Sequence, residues 1–359
     1  MNIGIIITDI RKKAGTERAV SNLSNLLAER GNSVSIISID SESGQGAYNL
    51  LEGVSIIHLN IHLSSSSWFN KIDCYRRLFL RIKEVVIQKK ISCLIGTYSS
   101  INFLLPAFKR NIKVVGCEHF NYASAGLFHK ILRFFIYRRL DAVVVLTAQD
   151  ATHYSFIDKR KLFVIPNSLS FARVDNHNYD NKRILSIGRL TKQKGYDILI
   201  EVAERIVTKI DGWKFTIVGN GELKDDLLKQ IKKKKLESVI EILSPTDNII
   251  DLYKASSIYL MTSRWEGLPM VLLEAQACGI PIVSFDCPEG PASVIHDNED
   301  GFLIKFMDVE MMVEKLLILM ENKDLRAQFG KHAYESSLNY TGDSVYELWN
   351  NLFQQLEND

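Results

Sequence analysis

Thirteen short apolar runs, arranged in two series with a polar stretch between them, constrain this chain more than any other feature. The first series is NIGIIIT (2–8), VSIISI (34–39), VSIIHL (54–59), CLIGT (93–97), KVVGC (113–117), AVVVLT (142–147) and FVIPN (163–167). The second is RILSIG (183–188), KFTIVG (214–219), IEILS (240–244), SIYLMTS (257–263), PIVSF (281–285) and GFLI (301–304). Most of these runs are apolar throughout and do not alternate with polar residues. A strand needs that pattern when helices cover both faces of its sheet, as in parallel sheets. Helical stretches lie between the runs, such as ERAVSNLSNLLAER (17–30), with Gly31 placed to cap it. The alternation predicts an α/β chain with two doubly wound, Rossmann-like domains in series. FARVDNHNYDNKR (171–183) is polar and has no apolar period. The expected boundaries are therefore 1–170, a linker at 171–182, and 183–342. The tail contains the amphipathic SVYELWNNLFQQL, and a helix over 343–359 is expected to pack back on the first domain. A length of 359 residues suits two cores of about 150–200 residues each.

Composition removes several classes of function. The formal net charge is +2, so no global field draws the chain to nucleic acid. Met1 leads straight into NIGIIITD without a charged n-region or cleavage site, so no secretory signal is expected. No apolar run approaches the roughly 20 residues needed to span a bilayer. The five cysteines are scattered and include no C-x-x-C, which fits reduced thiols in a cytoplasmic protein. Two further features carry little. The lysines at 232–235 read as a solvated helix end, and Gly219-Asn220-Gly221 resembles a dinucleotide fingerprint whose third glycine is replaced by Lys224.

Ligands of doubly wound sheets bind at the carboxyl ends of strands, and with two such domains the cleft between them is the expected site. Arg189 and Lys194 follow the strand RILSIG, where a guanidinium and an ammonium suit a diphosphate; alone, they read equally well as surface charge. Downstream lies SRWEGLPMVLLEAQACGIPIV (263–283), with two acids eight residues apart around an apolar run. Pro269 is expected in the first turn of a helix running to Cys278, with Gly279 as its cap. Glu266 then lies in a loop and Glu274 within the helix. The amides of Leu268, Met270 and Val271 at the helix start favour an anion. Carboxylates beside such a site make sense as acceptors for sugar hydroxyls, while the ordinary readings are a loop acid and a helix-start acid.

Together these segments resemble the retaining, nucleotide-sugar-dependent glycosyltransferases of family 4 (GT4), whose fold is GT-B. The E-x7-E pattern matches Glu266 and Glu274, and G-R-L-x3-K-G matches Arg189 and Lys194. The resemblance covers nearly the whole chain, is densest from Leu185 to Leu303, and includes CPEGPASVIHDNEDGFLI (287–304). It implies that Arg189 and Lys194 bind the donor diphosphate. Glu266 contacts the donor sugar, Glu274 the ribose hydroxyls, and the backbone of Gly267, Leu268 and Met270 lines the site. In the first domain, AGTERAVSNL (14–23) is similar to the family's glycine-rich loop, with Gly15 retained and Ala14 in place of its partner glycine. His119, in CEHFN, falls where the family often has a histidine near the reacting sugar. Asn167 matches a P-N turn read as interdomain structure.

The reaction implied is transfer of a hexose or N-acetylhexosamine, with a lean towards UDP-linked donors. The acceptor is a hydroxyl of a glycan or lipid-linked glycan, in cell-surface polysaccharide or lipopolysaccharide synthesis. The chain contains no D-x-D, so neither a metal nor another cofactor is expected beside the donor substrate. YRRLFLRIKEVV (75–86) and FHKILRFFIYRRL (128–140) mix cations with apolar residues. In the second, Lys130, Arg133, Arg138 and Arg139 accompany Leu132, Phe134, Phe135 and Ile136, which suits docking on an anionic membrane at the inner face of the plasma membrane. The plain alternative is a helix packed on its sheet. Two other functions remain open at this level: a nucleotide-sugar epimerase of similar architecture, and a noncatalytic nucleotide-sugar-binding protein.

Overall fold

In the computed structural model of the chain, both series form wholly parallel sheets. The structure describes residues 1–62, 68–119, 122, 125–174, 178–209, 211–246, 248–288 and 290–358, with backbone alone at 68–71. The chain divides into two units: Met1–Ser170 together with Gly342–Asp359, and Phe171–Thr341.

The first unit holds β1 (Asn2–Ile7), β2 (Ser33–Ser38), β3 (Val54–His58), β4 (Cys93–Gly96), β5 (Lys113–Glu118), β6 (Ala142–Val145) and β7 (Leu162–Val164). They pair in the order β3-β2-β1-β4-β5-β6-β7. Its helices are α1 (Gly15–Glu29), α2 (Trp68–Gln88), α3 (Ser99–Asn102), α4 (Leu127–Ile136), α5 (Ala148–Thr152) and the C-terminal helix Gly342–Asn358. In the second unit β8 (Arg183–Ile187), β9 (Lys214–Val218), β10 (Ile240–Leu243), β11 (Ile258–Met261), β12 (Ile282–Asp286) and β13 (Gly301–Lys305) pair as β10-β9-β8-β11-β12-β13. The helices there are α6 (Tyr196–Ile206), α7 (Lys224–Lys233), α8 (Ile249–Lys254), α9 (Met270–Ala277), α10 (Val309–Glu321) and α11 (Lys323–Ser336).

The apolar runs explain the sheets. Ile3, Ile5, Ile6 and Ile7 of β1 are all buried, so side chains on both faces lie under cover. Burial of this kind is the main favourable term for each unit. The strands stop one to three residues before several of the runs end, because their carboxyl-end residues leave the ladder to begin loops. Strand order reverses between β1 and β4, and again between β8 and β11. The loops after those pairs diverge to opposite faces and leave a crevice at the carboxyl ends.

Three expectations need correction. The stretch 171–182 is not a free linker: its described residues belong to the second unit. The Phe171 ring lies 6.1 Å from that of Tyr253, the Val174 N–H donates to the Ala277 carbonyl (2.9 Å), and the Tyr179 hydroxyl donates to the Gly279 carbonyl (2.9 Å). Residues 175–177 of it lie outside the described residues, as does Glu289 of the CPEGP segment. Gly342 opens the C-terminal helix and so belongs to the first unit, where Val345, Trp349, Leu352, Phe353 and Leu356 enter its core. Pro269 is extended (φ −76°, ψ 101°) and precedes α9 as its N-cap, so it is not a residue of the first turn. α9 is buried on nearly every side, Glu274 and Gln276 included, which accounts for its apolar sequence.

Candidate functional site

The crevice of the second unit is built by two loops, one after β8 and one after β11. The first passes through Gly188, Arg189 and Leu190 into a short 3-10 turn, Lys192–Lys194, and then Gly195 at φ +64°. A side chain at Gly195 would meet the Thr262 carbonyl at 2.1 Å, so the loops touch backbone to backbone and the position requires glycine. The Arg264 N–H donates to the Gln193 carbonyl (2.7 Å), and Gln193 Nε2 donates to the Trp265 carbonyl (3.0 Å). Thr262 Oγ1 donates to the Gly195 carbonyl (2.9 Å). Arg264 grips the Asp197 carboxylate through both terminal nitrogens (2.9 and 2.7 Å), and the guanidinium holds Asp197 below the usual carboxylate range.

This stapling brings two of the predicted residues together. Lys194 Nζ donates to Glu266 Oε1 at 2.6 Å, with 17% and 7% of the two side chains exposed. Cys287 lies beside the pair. Its thiol is pushed up to about 12, by burial first and the Glu266 charge second, and so stays protonated. Arg189 is exposed at the crevice mouth, and its side chain has no partner among the described residues. Leu268 and Met270 are buried at the start of α9, where the first N–H groups have no acceptor within the helix. The Leu272 N–H turns back to the Pro269 carbonyl (2.9 Å). Gly290 (φ +102°) lets the CPEGP loop reach the 266–269 turn; a side chain there would meet the Gly267 carbonyl at 1.8 Å. Glu274 is drawn inward, with no exposed surface, and its Oε2 accepts from the Tyr253 hydroxyl (2.9 Å). The structure thus joins Lys194 to Glu266 and places Glu274 deeper, on α9.

In the first unit Gly15 opens α1 with clear space where a side chain would stand. Two positions on, Glu17 is buried in the same turn and accepts from the Tyr98 hydroxyl (3.3 Å); burial raises its pKa. His119 follows β5 and is half-buried. It lines a largely apolar pocket with Thr97, Cys117, Leu146, Asn167 and Trp349. Burial lowers its pKa to about 4, so the imidazole is neutral at pH 7, a hydrogen-bonding group and not a cation. Phe120 and Asn121 of the CEHFN segment lie outside the described residues.

One assignment in FHKILRFFIYRRL is overturned. Arg133 is not a surface cation: it is 2% exposed and bonded to the buried Glu118 at 2.8 Å. An arginine at that helix position faces the sheet, and a buried carboxylate is there to pair with it. Glu118 also accepts from Asn102 Nδ2 (3.2 Å). Leu127, Phe128, Ile131 and Phe135 of α4 are exposed beside Lys130, Arg138 and Arg139. The sequence reading missed Arg264, Asp197 and Gln193, because a staple between loops about 70 residues apart leaves no local pattern.

Comparison with known proteins gives two family matches. Residues 14–173 match the model described as "Glycosyltransferase Family 4", and residues 170–336 the model described as "Glycosyl transferases group 1". The chain is similar to the amylovoran biosynthesis glycosyltransferase AmsD of Erwinia amylovora, with 31% identity over 358 residues, covering 97% of this chain and 98% of that protein. It is also similar to a Campylobacter jejuni enzyme, GalNAc-alpha-(1->4)-GalNAc-alpha-(1->3)-diNAcBac-PP-undecaprenol alpha-1,4-N-acetyl-D-galactosaminyltransferase, with 26% identity over 100% of this chain and 99% of that one. In fold it matches a crystal structure of an S. aureus TarM variant bound to fondaparinux, alpha-GlcNAc-glycerol and UDP. The TM-score is 0.79 at 19% identity, covering 98% of this chain and 100% of that one.

Proposed function

This chain belongs to the family 4 glycosyltransferases, with the GT-B fold, and on that premise we propose that its donor is a UDP-linked hexose or N-acetylhexosamine held by the second unit. It is a transferase that moves a sugar to a glycan acceptor; the epimerase and noncatalytic readings are not favoured. The observation that carries the donor assignment is the meeting of Lys194 and Glu266 at 2.6 Å, at the carboxyl ends of the two strands flanking the reversal of strand order.

In this reading Arg189, Lys194 and the amides at the start of α9 receive the diphosphate. Glu266 accepts hydrogen bonds from the sugar's hydroxyls. The bond from the anomeric carbon to the diphosphate oxygen breaks, and the acceptor oxygen bonds to the same face of that carbon. The acceptor proton passes to the leaving diphosphate oxygen. Fixed positive groups at the departing charge supply the main lowering of the barrier. They take the place of a metal, so chelators are expected to leave the rate unchanged. Glu274 is assigned to the ribose, for which its Oε1 serves while Oε2 accepts from the Tyr253 hydroxyl. In the first unit, Gly15 and the neutral His119 are the residues assigned to ligand binding. UDP in the TarM structure supports the base, and the PP-undecaprenol in the Campylobacter enzyme's name supports a lipid-linked acceptor. Screening UDP-Gal, UDP-Glc, UDP-GlcNAc, UDP-GalNAc and GDP-Man for hydrolysis tests the donor; turnover of GDP-Man alone would refute it.

A lipid-linked acceptor calls for attachment to the cytoplasmic face of a membrane. Among the described residues no helix is long and apolar enough to cross one. The exposed apolar side chains of α4, flanked by Lys130, Arg138 and Arg139, suit peripheral docking on anionic lipid. The expected result at low salt is stronger binding to anionic than to neutral vesicles. Equal binding to both contradicts it.

A further inference from the structure

The Gly219-Asn220-Gly221 sequence has a use that is not dinucleotide binding. Its backbone holds the turn that carries Arg189. The Gly188 N–H donates to the Val218 carbonyl (3.0 Å), the Leu190 N–H to the Asn220 carbonyl (2.9 Å), and the Leu223 N–H to the Leu190 carbonyl (3.0 Å). The two loops are therefore bonded on both sides of Arg189.

They also lie closer than any side chain allows. A β-carbon on Gly219 would stand 1.9 Å from the Gly188 oxygen, and one on Gly221 would stand 2.5 Å and 2.7 Å from the oxygen and nitrogen of Leu190. The atoms in the way are backbone, so they give only if the turn moves. The Leu190 side chain is fully buried in the core and anchors the turn from beneath. Arg189 itself has no side-chain partner among the described residues, so the backbone on either side of it fixes the point from which the side chain starts and nothing else holds it. Gly188 extends the arrangement, because the Lys194 stem crosses it with Cε 3.1 Å from where a side chain would begin.

We propose that Gly219 and Gly221 are positioning residues for donor binding, holding the 188–190 turn so that the Arg189 guanidinium faces the donor diphosphate. The proposal rests on the assignment of Arg189 to that diphosphate, made above. It explains why glycines recur at this strand end when no nucleotide fingerprint is complete: they serve approach between two loops, not approach to a ligand.

A double-mutant cycle on the full-length chain tests it, with UDP binding measured by calorimetry. Arg189→Ala alone is expected to weaken UDP about tenfold. Gly221→Ala is expected to weaken it by a similar factor. The double variant is expected to be no weaker than either single one, because the glycine acts through the arginine. Multiplied losses in the double variant overturn the proposal, as does unchanged UDP affinity in Gly221→Ala. An Arg189→Ala variant that binds UDP normally overturns the diphosphate assignment instead. Gly219→Ala, which crowds a single carbonyl, repeats the cycle if Gly221→Ala does not fold. A lowered melting temperature with UDP affinity intact in Gly219→Ala makes the glycines purely structural and ends the proposal.

Discussion

Lys194 Nζ stands 2.6 Å from Glu266 Oε1, so the cation assigned to the diphosphate is already engaged by the acid assigned to the sugar. With three donors the ammonium can meet both groups, and as the diphosphate engages Lys194 part of its bond to Glu266 is expected to be exchanged, which turns the carboxylate towards the sugar hydroxyls. Before the donor arrives, Glu266 supplies the negative charge that keeps a poorly solvated ammonium paired.

From this follows an opposite response of binding and turnover. Glu266→Gln removes both the competitor for Lys194 and a repulsion with the diphosphate. UDP affinity is expected to rise by about threefold to tenfold, while sugar transfer falls about a hundredfold because the hydroxyl contact is weakened. Calorimetry with UDP and a turnover assay on the same preparation check it. UDP affinity reduced in step with turnover contradicts the exchange.

Arg264 bonds to Asp197 and to the Lys192 and Gln193 carbonyls, and so fixes the loops that carry the assigned ligand-binding residues. Arg264→Ala is expected to reduce kcat/KM about 10- to 100-fold through misplacement of Glu266. Arg264→Lys is expected to restore little, since an ammonium cannot make the two-pronged contact. Steady-state kinetics on the two variants decide it.

Glu274 and the ribose are testable through the ligand. Glu274→Ala is expected to weaken UDP about tenfold and to leave 2′-deoxy-UDP nearly unaffected, because the missing hydroxyl removes the same bond. An equal loss for both nucleotides, measured by calorimetry, assigns Glu274 to the packing of α9 with Tyr253 alone.

His119 bears on acid stability, and the sign is fixed by its lowered pKa. Its folded value of about 4 lies under the unfolded value of about 6.5. The unfolded chain therefore takes up its proton first, and stability falls as pH drops from about 6.5 towards 4. His119→Asn removes that component. Its melting temperature is expected to fall less between pH 7 and pH 5 than that of the wild type, by a few degrees. Parallel pH curves refute a neutral imidazole with a lowered pKa.

Much of the second unit is legible in the sequence because its candidate site is made of residues close to strand ends. Arg189, Lys194 and Glu266 each follow a continuously apolar run, and strand identity alone puts them at one edge of one sheet. What is not legible arises from contacts between distant segments. Asp197 meets Arg264 only after β8 and β11 have paired, and Arg133 is drawn inward by Glu118, which sits on another element. FHKILRFFIYRRL reads as a uniformly basic, apolar surface until the sheet decides which of its cations is buried. Glu274 shows the same limit. Its place on α9 follows from Pro269 and Gly279, but its complete burial follows from how α9 is enclosed.

The most direct test of the account is UDP release from the preferred UDP-sugar by the wild type, Lys194→Ala and Glu266→Ala, measured side by side on folded protein. The account predicts turnover by the wild type and a loss of about a hundredfold or more in each variant. Release at wild-type rates by both variants contradicts it.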